Sequence, residues 1–347
     1  MLIYSLNIVN FGSAIWSSTM RGDTLCRSLF SGLLLLSCAV QANNMELASQ
    51  VQALWQANDY AAAKALLTPL VTKQSKDAQL LALLGRTEAG LQQMERAEAL
   101  LEKAVKYDAN NADYQHWYAT TSCNLASSAS MFSALGYAKR CKKAYETALK
   151  LAPENPRSYI ALGSFLAQAP GIAGGDKDKA QALAQQLKQL DEVQGWLLQL
   201  RLTEFSDDEA FTQFLAEAKP LQQRPEAYFQ RAMQLTAQES YPAAITLLQQ
   251  AIQQPAVDDD AKASIAESHY QLARCAVLSK TAISEGIAAM QHYLQLAPNA
   301  DRLDWAKFRL AQLYLLSDQT DKAKALTQPL LASTNDDKLK AELKKIL

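Results

Sequence analysis

The sequence has few of the residues from which catalytic and metal sites are built. Its three histidines are scattered, and it contains no H-E-x-x-H pair, no Cys/His cluster at metal-ligand spacing and no G-x-S-x-G turn. The paired acids Asp207-Asp208 and Asp258-Asp259-Asp260 come just before predicted helices, where aspartate is a common N-cap residue. The sequence therefore predicts a protein that is not an enzyme, with no catalytic residue, no metal and no cofactor.

An excess of either charge is also missing. Lys plus Arg (34) nearly cancels Asp plus Glu (35), which leaves a formal net charge of -1, and no basic run precedes the lysine-rich C-terminal end. Electrostatic binding to nucleic acid needs a positive surface. We therefore do not expect nucleic acid as a partner.

Strand signals are almost absent beyond residue 43. The chain instead alternates short polar turns with amphipathic segments of about a dozen residues that have the period of an α-helix. The sequence therefore predicts an all-α fold.

The first 42 residues have the composition of a leader rather than of a folded domain. Arg21 and Arg27 form a positive segment, and Leu29–Val40 is an apolar run too short to anchor a chain stably in a bilayer. A small-residue motif of the kind that signal peptidase cleaves follows. We expect residues 1–42 to be an N-terminal extension plus a secretory signal peptide, with Met20 as the true start and the periplasm as the destination.

A second interpretation of this segment is lipidation. Cys38 follows the small residue Ser37, as in a bacterial lipobox, although Leu36 just before Ser37 is bulkier than the pattern prefers. Cleavage after Ala42 would discard Cys38, whereas acylation of Cys38 would tether the chain to a membrane as an outer-membrane lipoprotein. A membrane is an expected partner only in that second case.

Small residues recur at a fixed spacing in successive predicted helix pairs. In three segments a small residue of one helix precedes a small residue of the next by twelve positions, namely Gly85 and Ala97, Ala232 and Ala244, and Ala311 and Ala323. Small residues that face each other let two antiparallel helices approach closely, and larger apolar residues farther along fill the seam. The pattern predicts a row of helical hairpins.

This pattern resembles the tetratricopeptide repeat, a helix–turn–helix unit of about 34 residues. The repeat around Leu84 matches its signature best, and the segments "ALKLAPENP" (148–156) and "YLQLAPNAD" (293–301) carry its terminal proline. The resemblance implies a right-handed α-solenoid whose first helices line a concave groove.

Within a solenoid expected over residues 43–335 we count eight repeats, which start near residues 46, 78, 112, 156, 192, 225, 262 and 303. The repeat at 192–224 is degenerate, and its main apolar residues are Trp196, Leu200, Phe211 and Phe214. The third repeat is about ten residues too long, and we expect the excess to lengthen its turn and second helix. Residues 336–347 are predicted to form a solvated capping helix.

The densest glycine cluster, Gly171, Gly174 and Gly175, lies in the fourth repeat. A phosphate-binding loop would need G-x-x-x-x-G-K-[ST] after a buried strand, which this segment lacks. We predict a turn in which Pro170 ends one helix, the glycines take positive φ and Asp176 caps the next helix. This Pro-Gly-x-x-Gly-Gly loop beside a lengthened helix is similar to a subgroup of bacterial exported repeat proteins, to which we attach no activity.

Three cysteines lie beyond the leader, and two states are open to them. In an oxidising compartment Cys123 and Cys141 form a disulfide if their helices bring the Cα atoms within about 4.4–6.8 Å. Both lie in the enlarged third repeat, which favours such a contact. In the other state these two and Cys275 are small buried hydrophobic residues.

Candidate partner-binding residues follow from the repeat register. The repeat period places eight aromatic or basic side chains near the groove: Trp55, Arg86, Arg157, Phe229, Tyr270, Arg274, Trp305 and Phe308. Such residues are enriched at interface hot spots, but the same aromatic rings are also suited to fill seams between repeats. The sequence predicts an exported scaffold that binds a protein or peptide partner. The alternative is a lipid-anchored component of a cell-envelope assembly or secretion machine, and the oligomeric state stays open.

Overall fold

The computed structural model describes residues 45–297 and 302–346, and all regular elements within them are α-helices or short 3₁₀ turns. The predicted all-α class is confirmed. No helix in this part of the chain is both long enough and apolar enough to cross a bilayer. The expected leader, with Met20, Cys38 and the cleavage site after Ala42, lies outside the described residues, and so does Pro298, the terminal proline of the segment 293–301.

Seventeen helices follow one another in the described residues, and the first sixteen alternate as first and second helices of eight repeats. The first helices are α1 (45–56), α3 (Ala78–Gly90), α5 (Ala112–Ser128), α7 (Pro156–Gln168), α9 (Glu192–Leu202), α11 (Pro225–Ala237), α13 (Asp259–Ser279) and α15 (Leu303–Leu316). The second helices are α2 (Tyr60–Leu67), α4 (Met94–Tyr107), α6 (Met131–Leu151), α8 (Lys177–Leu190), α10 (Asp208–Glu217), α12 (Tyr241–Ile252), α14 (Ile283–Leu296) and α16 (Thr320–Ser333). The last helix is α17 (Asp337–Ile346).

The helices form two compact bodies, an N-terminal body that ends at Tyr137 and a C-terminal body that begins at Ala138. In the N-terminal body α2 to α5 pack in sequence, and the first helices α3 and α5 also touch. In the C-terminal body α7 to α9 and α11 to α16 pack in sequence, while the first helices α7, α9, α11, α13 and α15 lie side by side. This arrangement is a solenoid of helical repeats. A single continuous solenoid over 43–335 stays a prediction.

The small residues lie where paired helices approach each other. A Cβ atom added to Gly85 on α3 would lie 2.7 Å from Cγ of Leu101 on α4 and 3.3 Å from the carbonyl oxygen of Ala97. The other predicted seam residues are fully or almost fully buried: Ala97, Ala232, Ala244, Ala311 and Ala323. Larger side chains at these positions would push the paired helices apart.

The paired acids begin helices, as predicted. Asp207 accepts a hydrogen bond from the backbone N–H of Ala210 at 2.8 Å, and Asp258 accepts one from Ala261 at 2.8 Å. Each carboxylate thereby pairs one of the N–H groups that a helix leaves free at its first turn. The hydrogen bond from Ala210 also holds the pKa of Asp207 below its usual value.

The extra residues of the third repeat enter its helices rather than its turn. Helix α5 has 17 residues and α6 has 21, and only Ala129 and Ser130 separate them. The expected longer turn is therefore wrong. The inserted segment is rich in Ala, which has the highest helix propensity, and it contains no proline, so it can extend the two helices.

The glycine cluster forms the predicted turn, with one correction. Helix α7 ends at Gln168, and Asp176 caps α8 by accepting a hydrogen bond from the Lys179 N–H at 3.0 Å. Among the three glycines only Gly174 has a positive φ, of 98°. Gly175 is required because an added Cβ atom would lie 1.8 Å from the carbonyl oxygen of Ala169.

The degenerate fifth repeat uses aromatic contacts to pack its two helices. The rings of Trp196 on α9 and Phe214 on α10 meet edge to face with centroids 5.6 Å apart. A 3₁₀ turn, Lys219–Leu221, also packs against α9 and buries Leu221 completely. Irregular packing of this kind explains why the repeat signature is weak here.

The C-terminal helix α17 is amphipathic and only one face is solvated. Leu339 and Leu343 are completely buried against Phe308 on α15 and Leu330 on α16. The expectation of a simply solvated helix is therefore corrected, because α17 buries an apolar stripe and presents its lysines outward.

Candidate partner-binding surface

Two of the predicted groove residues meet in the N-terminal body. The guanidinium carbon of Arg86 lies 4.1 Å from the ring centroid of Trp55 and 4.9 Å from that of Trp117. Trp55 is 4% exposed and donates its indole N–H to Thr87 at 3.0 Å, so this ring fills a seam. Trp117 was missed from the sequence, although its position in the first helix of the third repeat was an available signal.

Three predicted aromatic residues of the C-terminal body belong to its packing. Tyr270 and Phe308 are 8% and 1% exposed, so both fill seams rather than face a partner. Trp305 donates its indole N–H to the Asp336 carboxylate at 2.8 Å and meets Phe308 edge to face. Trp305 therefore connects α15 to the start of α17.

The three remaining predicted residues have different surroundings. Arg157 is exposed near the start of α7, and Phe229 on α11 is half-buried against the core. Arg274 on α13 is half-buried and belongs to a larger set of arginines.

Arginines recur on four consecutive first helices of the C-terminal body. We call this set the arginine row: Arg201 on α9, Arg231 on α11, Arg274 on α13 and Arg309 on α15. Of the four, sequence reasoning selected only Arg274. The missed signal was the recurrence of arginine along successive first helices.

Each arginine of the row has a glutamine side chain as a hydrogen-bond partner, and Arg309 also pairs with the Tyr270 hydroxyl. Arg231 donates to Gln234 at 3.3 Å, Arg274 to Gln271 at 3.3 Å and Arg309 to Gln312 at 2.8 Å. With the Gln230 amide oriented so that both its polar atoms are paired, its oxygen accepts from Nε and Nη2 of Arg201 at 3.1 and 3.3 Å. A neutral glutamine orients a guanidinium group but does not cancel its charge.

Two other arginines of the same body pair with carboxylates instead of glutamines. Arg224 donates to Glu226 at 2.5 Å and to Asp258 at 2.6 Å. Arg302 donates to Glu267 at 2.9 Å. Here carboxylates neutralise the cations, and this makes the glutamine partners a distinguishing property of the arginine row.

Arg201 and Arg231 line one cavity of about 300 Å³. The ends of α7, α9 and α11 and the start of α8 form its walls, and Lys177, Gln181, Thr203 and Gln234 are among its lining residues. Lys177 and Glu204 form an exposed ion pair at 3.5 Å beside the cavity. The cavity therefore carries an excess of positive charge.

Arg231 is buried without a full set of acceptors. The residue is 2% exposed, and its Nε has no hydrogen-bond acceptor among the described residues. Its one acidic neighbour within ion-pair distance, among those residues, is the Asp208 carboxylate, at 3.7 Å and 78% exposed. A guanidinium ion has five N–H donors, and burial without acceptors for them costs free energy.

Arg309 repeats this situation on the first helix that follows Arg274. The Nε of Arg309 is also buried without an acceptor in the described part of the chain. Burial lowers the pKa of Arg309, the neighbouring Tyr270 raises it, and the positive charge of Arg274 lowers it. Like charges on successive first helices repel each other, and an anion between them would reduce this repulsion.

The glycine loop lacks the free donors of a phosphate site. The backbone N–H groups of four successive residues, 173–176, all donate to carbonyl oxygens of Leu166, Pro170 and Gly171. Lys139, Lys142 and Lys143 lie beside the loop around a cleft of about 340 Å³. A phosphate cradle needs backbone N–H groups that point at the ligand, and these point inward.

The remaining candidates for reactive groups are the cysteines and the acidic residues. Cys123 and Cys141 are disulfide-bonded, whereas Cys275 is a buried free thiol. The pairing of Cys123 with Cys141 in particular stays a prediction. Within 45–297 and 302–346, no three His, Cys, Asp or Glu side chains converge as a metal site would require.

Comparison with known families identifies repeats in the first half of the chain. Residues 54–119 and 125–155 each match a family model described as tetratricopeptide repeat. The chain therefore contains tetratricopeptide repeats, as the sequence resemblance implied. No curated protein matches the chain in sequence.

Several solved structures are similar to the chain. Yeast Tom70 has a TM-score of 0.55 and 17% identity, over 83% of this chain and 58% of Tom70. A thermophilic TPR protein of Thermus thermophilus has a TM-score of 0.42 and 16% identity, over 65% of this chain and 98% of that one. A tetratricopeptide repeat protein from Parabacteroides merdae has a TM-score of 0.43 and 12% identity, over 87% of this chain and 98% of that one. The likeness to Tom70 shows a shared fold.

Proposed function

We propose that this chain of tetratricopeptide repeats is a non-enzymatic scaffold that binds a protein or peptide partner along its first helices. The arginine row carries the proposal. It sets four guanidinium groups on neighbouring first helices and pairs them with neutral glutamines, so their charge is available to a ligand. Arginine is enriched at the energetic centres of protein interfaces, and a row of helices suits an extended partner.

The site of action that we propose is the periplasm. Two observations support export. The apolar run Leu29–Val40 follows positive residues, as in a signal peptide, and Cys123 and Cys141 are disulfide-bonded, a state that persists in oxidising compartments. The similarity of the Pro-Gly-x-x-Gly-Gly loop to an exported subgroup of repeat proteins favours the same location.

Intact-mass measurement of the mature protein tests the location. A chain that begins at Asn43 is the expected result, because cleavage after Ala42 removes the leader. A chain that begins with an acylated Cys38 would show that the protein is lipid-anchored and not exported in soluble form. A chain that keeps residues 1–42 would contradict both soluble export and lipid anchoring.

Site-specific photo-crosslinking in cells tests the binding surface. A benzoylphenylalanine residue at Gln271 or Gln312 lies beside the arginine row, whereas one at Gln250 lies on the exposed side of the second helix α12. We expect a defined protein adduct from the first two positions and none from Gln250. Equal adducts from all three positions, or adducts from Gln250 alone, would contradict binding along the first helices.

A further inference from the structure

We propose that the partner presents acidic side chains to the arginine row, and that the cavity lined by Arg201 and Arg231 receives one of their carboxylates. This inference rests on the proposed function, because it specifies the chemistry of the partner that the first helices bind. A carboxylate matches the planar fork of a guanidinium group and accepts two parallel hydrogen bonds from it.

Arg231 is a buried cation with too few acceptors. Its burial, its unpaired Nε and its distant, exposed acidic neighbour leave the cation poorly compensated within the chain. Arg201 lines the same cavity and is paired with the neutral Gln230. A carboxylate in the cavity would supply the acceptors that Arg231 lacks and would meet two guanidinium groups at once.

Three acidic residues near the row supply little of this compensation. Glu204 pairs with Lys177 at 3.5 Å, and Glu267 pairs with Arg302 at 2.9 Å. Asp208 remains solvated while it lies 3.7 Å from Arg231. Because solvent screens such a pair strongly, it contributes little.

The repeat geometry indicates how the acids of the partner are spaced. Neighbouring packed helices lie about 8–10 Å apart, and an extended chain rises about 3.3 Å per residue. Acidic residues about three positions apart in an extended segment therefore match successive arginines of the row. A segment of about ten residues, with an acid at every third position, therefore places one acid at each of the four first helices.

Fluorescence anisotropy with defined peptides tests the proposal on the purified protein. The probe is a labelled, N-acetylated and C-amidated peptide of about ten residues that repeats Glu-Gly-Gly and ends on a fourth Glu, and its control replaces each Glu by Gln. We expect the Glu peptide to bind about tenfold or more tightly than the Gln peptide and to weaken as salt is added. Equal binding of the two peptides would overturn the proposal.

Variants locate the binding. We expect Arg231→Gln and Arg309→Gln each to weaken Glu-peptide binding about tenfold, because each removes a cation from the site, a buried one at Arg231 and a half-buried one at Arg309. Arg231→Lys keeps the charge but loses the planar fork, so it should weaken binding less than Arg231→Gln. Lys262→Gln is the matched control, since Lys262 is also on a first helix, α13, but is exposed and paired with Asp259. A thermal melt of each variant separates loss of binding from loss of fold, and wild-type binding by both Arg→Gln variants would overturn the proposal.

Two further probes define the ligand chemistry. An uncharged peptide with a free C-terminal carboxylate distinguishes an α-carboxylate from an acidic side chain, and Arg231-dependent binding of it alone would overturn the side-chain assignment. If single-stranded DNA or polyphosphate binds more tightly than the Glu peptide, the ligand group of the arginine row is a phosphate and the proposed carboxylate is overturned. The two experiments can fail separately. If crosslinking in cells gives adducts at Gln271 but the purified protein does not prefer the Glu peptide, only the acidic nature of the partner is overturned. If the purified protein prefers the Glu peptide but no adduct forms in cells, only the proposed function is overturned.

Discussion

Gly174 and Gly175 are neighbours in the fourth repeat, but the backbone requires each of them for a different reason. Gly174 has φ of 98°, a region that costs an L-residue about 1–2 kcal/mol. Gly175 lies against the carbonyl of Ala169, where an added Cβ would be 1.8 Å from the oxygen. Gly171 meets neither restriction, since an added Cβ there has no neighbour within 4 Å.

The three glycines should therefore respond differently to alanine. We expect Gly175→Ala to lower the free energy of unfolding most, by about 2–3 kcal/mol, because the backbone must move. Gly174→Ala should cost about 1–2 kcal/mol, and Gly171→Ala less than about 0.5 kcal/mol. Urea denaturation measures all three, and partner adducts should persist in each folded variant. An order with Gly171→Ala as the most destabilising would contradict this account of the loop.

His269 is the residue that should make stability depend on pH. Its ring stacks on that of His292 with centroids 5.2 Å apart, and burial, followed by the charge of His292, lowers the pKa of His269 to about 4. The unfolded chain binds this proton near pH 6.5, the ordinary value for histidine. Between about pH 6.5 and 4 the unfolded state therefore holds more protons, so the free energy of unfolding falls as the pH falls.

His269→Gln should flatten this part of the stability profile. Unfolding free energies measured by urea between about pH 7 and pH 4 provide the comparison with the wild-type protein. His292→Gln is the control, because it removes the secondary cause and leaves the buried His269. If the His269 variant keeps the full wild-type slope over this range, the slope has another origin.

At the scale of helices, the seams between paired elements depend on alanine. Ala104 on α4 and Ala251 on α12 are completely buried, at the positions that the repeat register assigns to small residues. Their methyl groups allow neighbouring helices to approach closely. We expect Ala104→Leu or Ala251→Leu to lower the free energy of unfolding by about 1–3 kcal/mol through overpacking.

The control for the seam variants is Ala263→Leu, because Ala263 is exposed on α13. Its effect should remain within about 0.5 kcal/mol. A variant at Ala104 or Ala251 that unfolds like the wild-type protein would mean that the repeat register is wrong at that position.

The helices of the third repeat contain the two cysteines that are predicted to form a disulfide. Cys123 lies on α5 and Cys141 on α6, and each is disulfide-bonded. If they pair with each other, the unreduced and denatured protein from Asn43 onward should show one free thiol, that of Cys275. Denaturation is needed because Cys275 is completely buried. Three free thiols would rule out the bridge, and a covalent dimer without reductant would indicate pairing between chains.

At the scale of the whole molecule, a row of repeats leaves an apolar face at its end unless another element covers it. Helix α17 covers this face on the C-terminal body, where Leu339 and Leu343 contact Phe308 and Leu330. Trp305 and Asp336 join the start of α17 to α15 through a hydrogen bond of 2.8 Å. The cap is thus held by apolar burial and by this polar contact.

Truncation of these leucines should loosen the end of the repeat array. We expect Leu339→Ala or Leu343→Ala to cost about 2–4 kcal/mol, because each leaves a cavity against Phe308. Lys344→Ala, on the exposed face of α17, should change little. Urea denaturation followed by circular dichroism compares the variants, and Leu339→Ala unfolding like Lys344→Ala would contradict the packing role of α17.

The helical class, the helix starts and the caps could all be predicted from the sequence. Every first helix begins within three residues of a repeat start counted from the sequence. Asp176, Asp207 and Asp258 cap the helices that they precede. These features depend on neighbours a few positions away, and a helical period or a capping side chain can therefore be recognised in a short stretch of sequence.

Which side chains are buried in seams and which lie at the surface depends on contacts between helices. A shift of one residue turns a side chain by about 100° around a helix, so the repeat period did not distinguish the buried Trp55, Tyr270 and Phe308 from surface residues. The arginine row depends on contacts among successive first helices, and its cavity joins residues from α7, α8, α9 and α11. Arg231 shows the reason most clearly, because its lack of acceptors is a property of the folded surroundings and not of any local pattern.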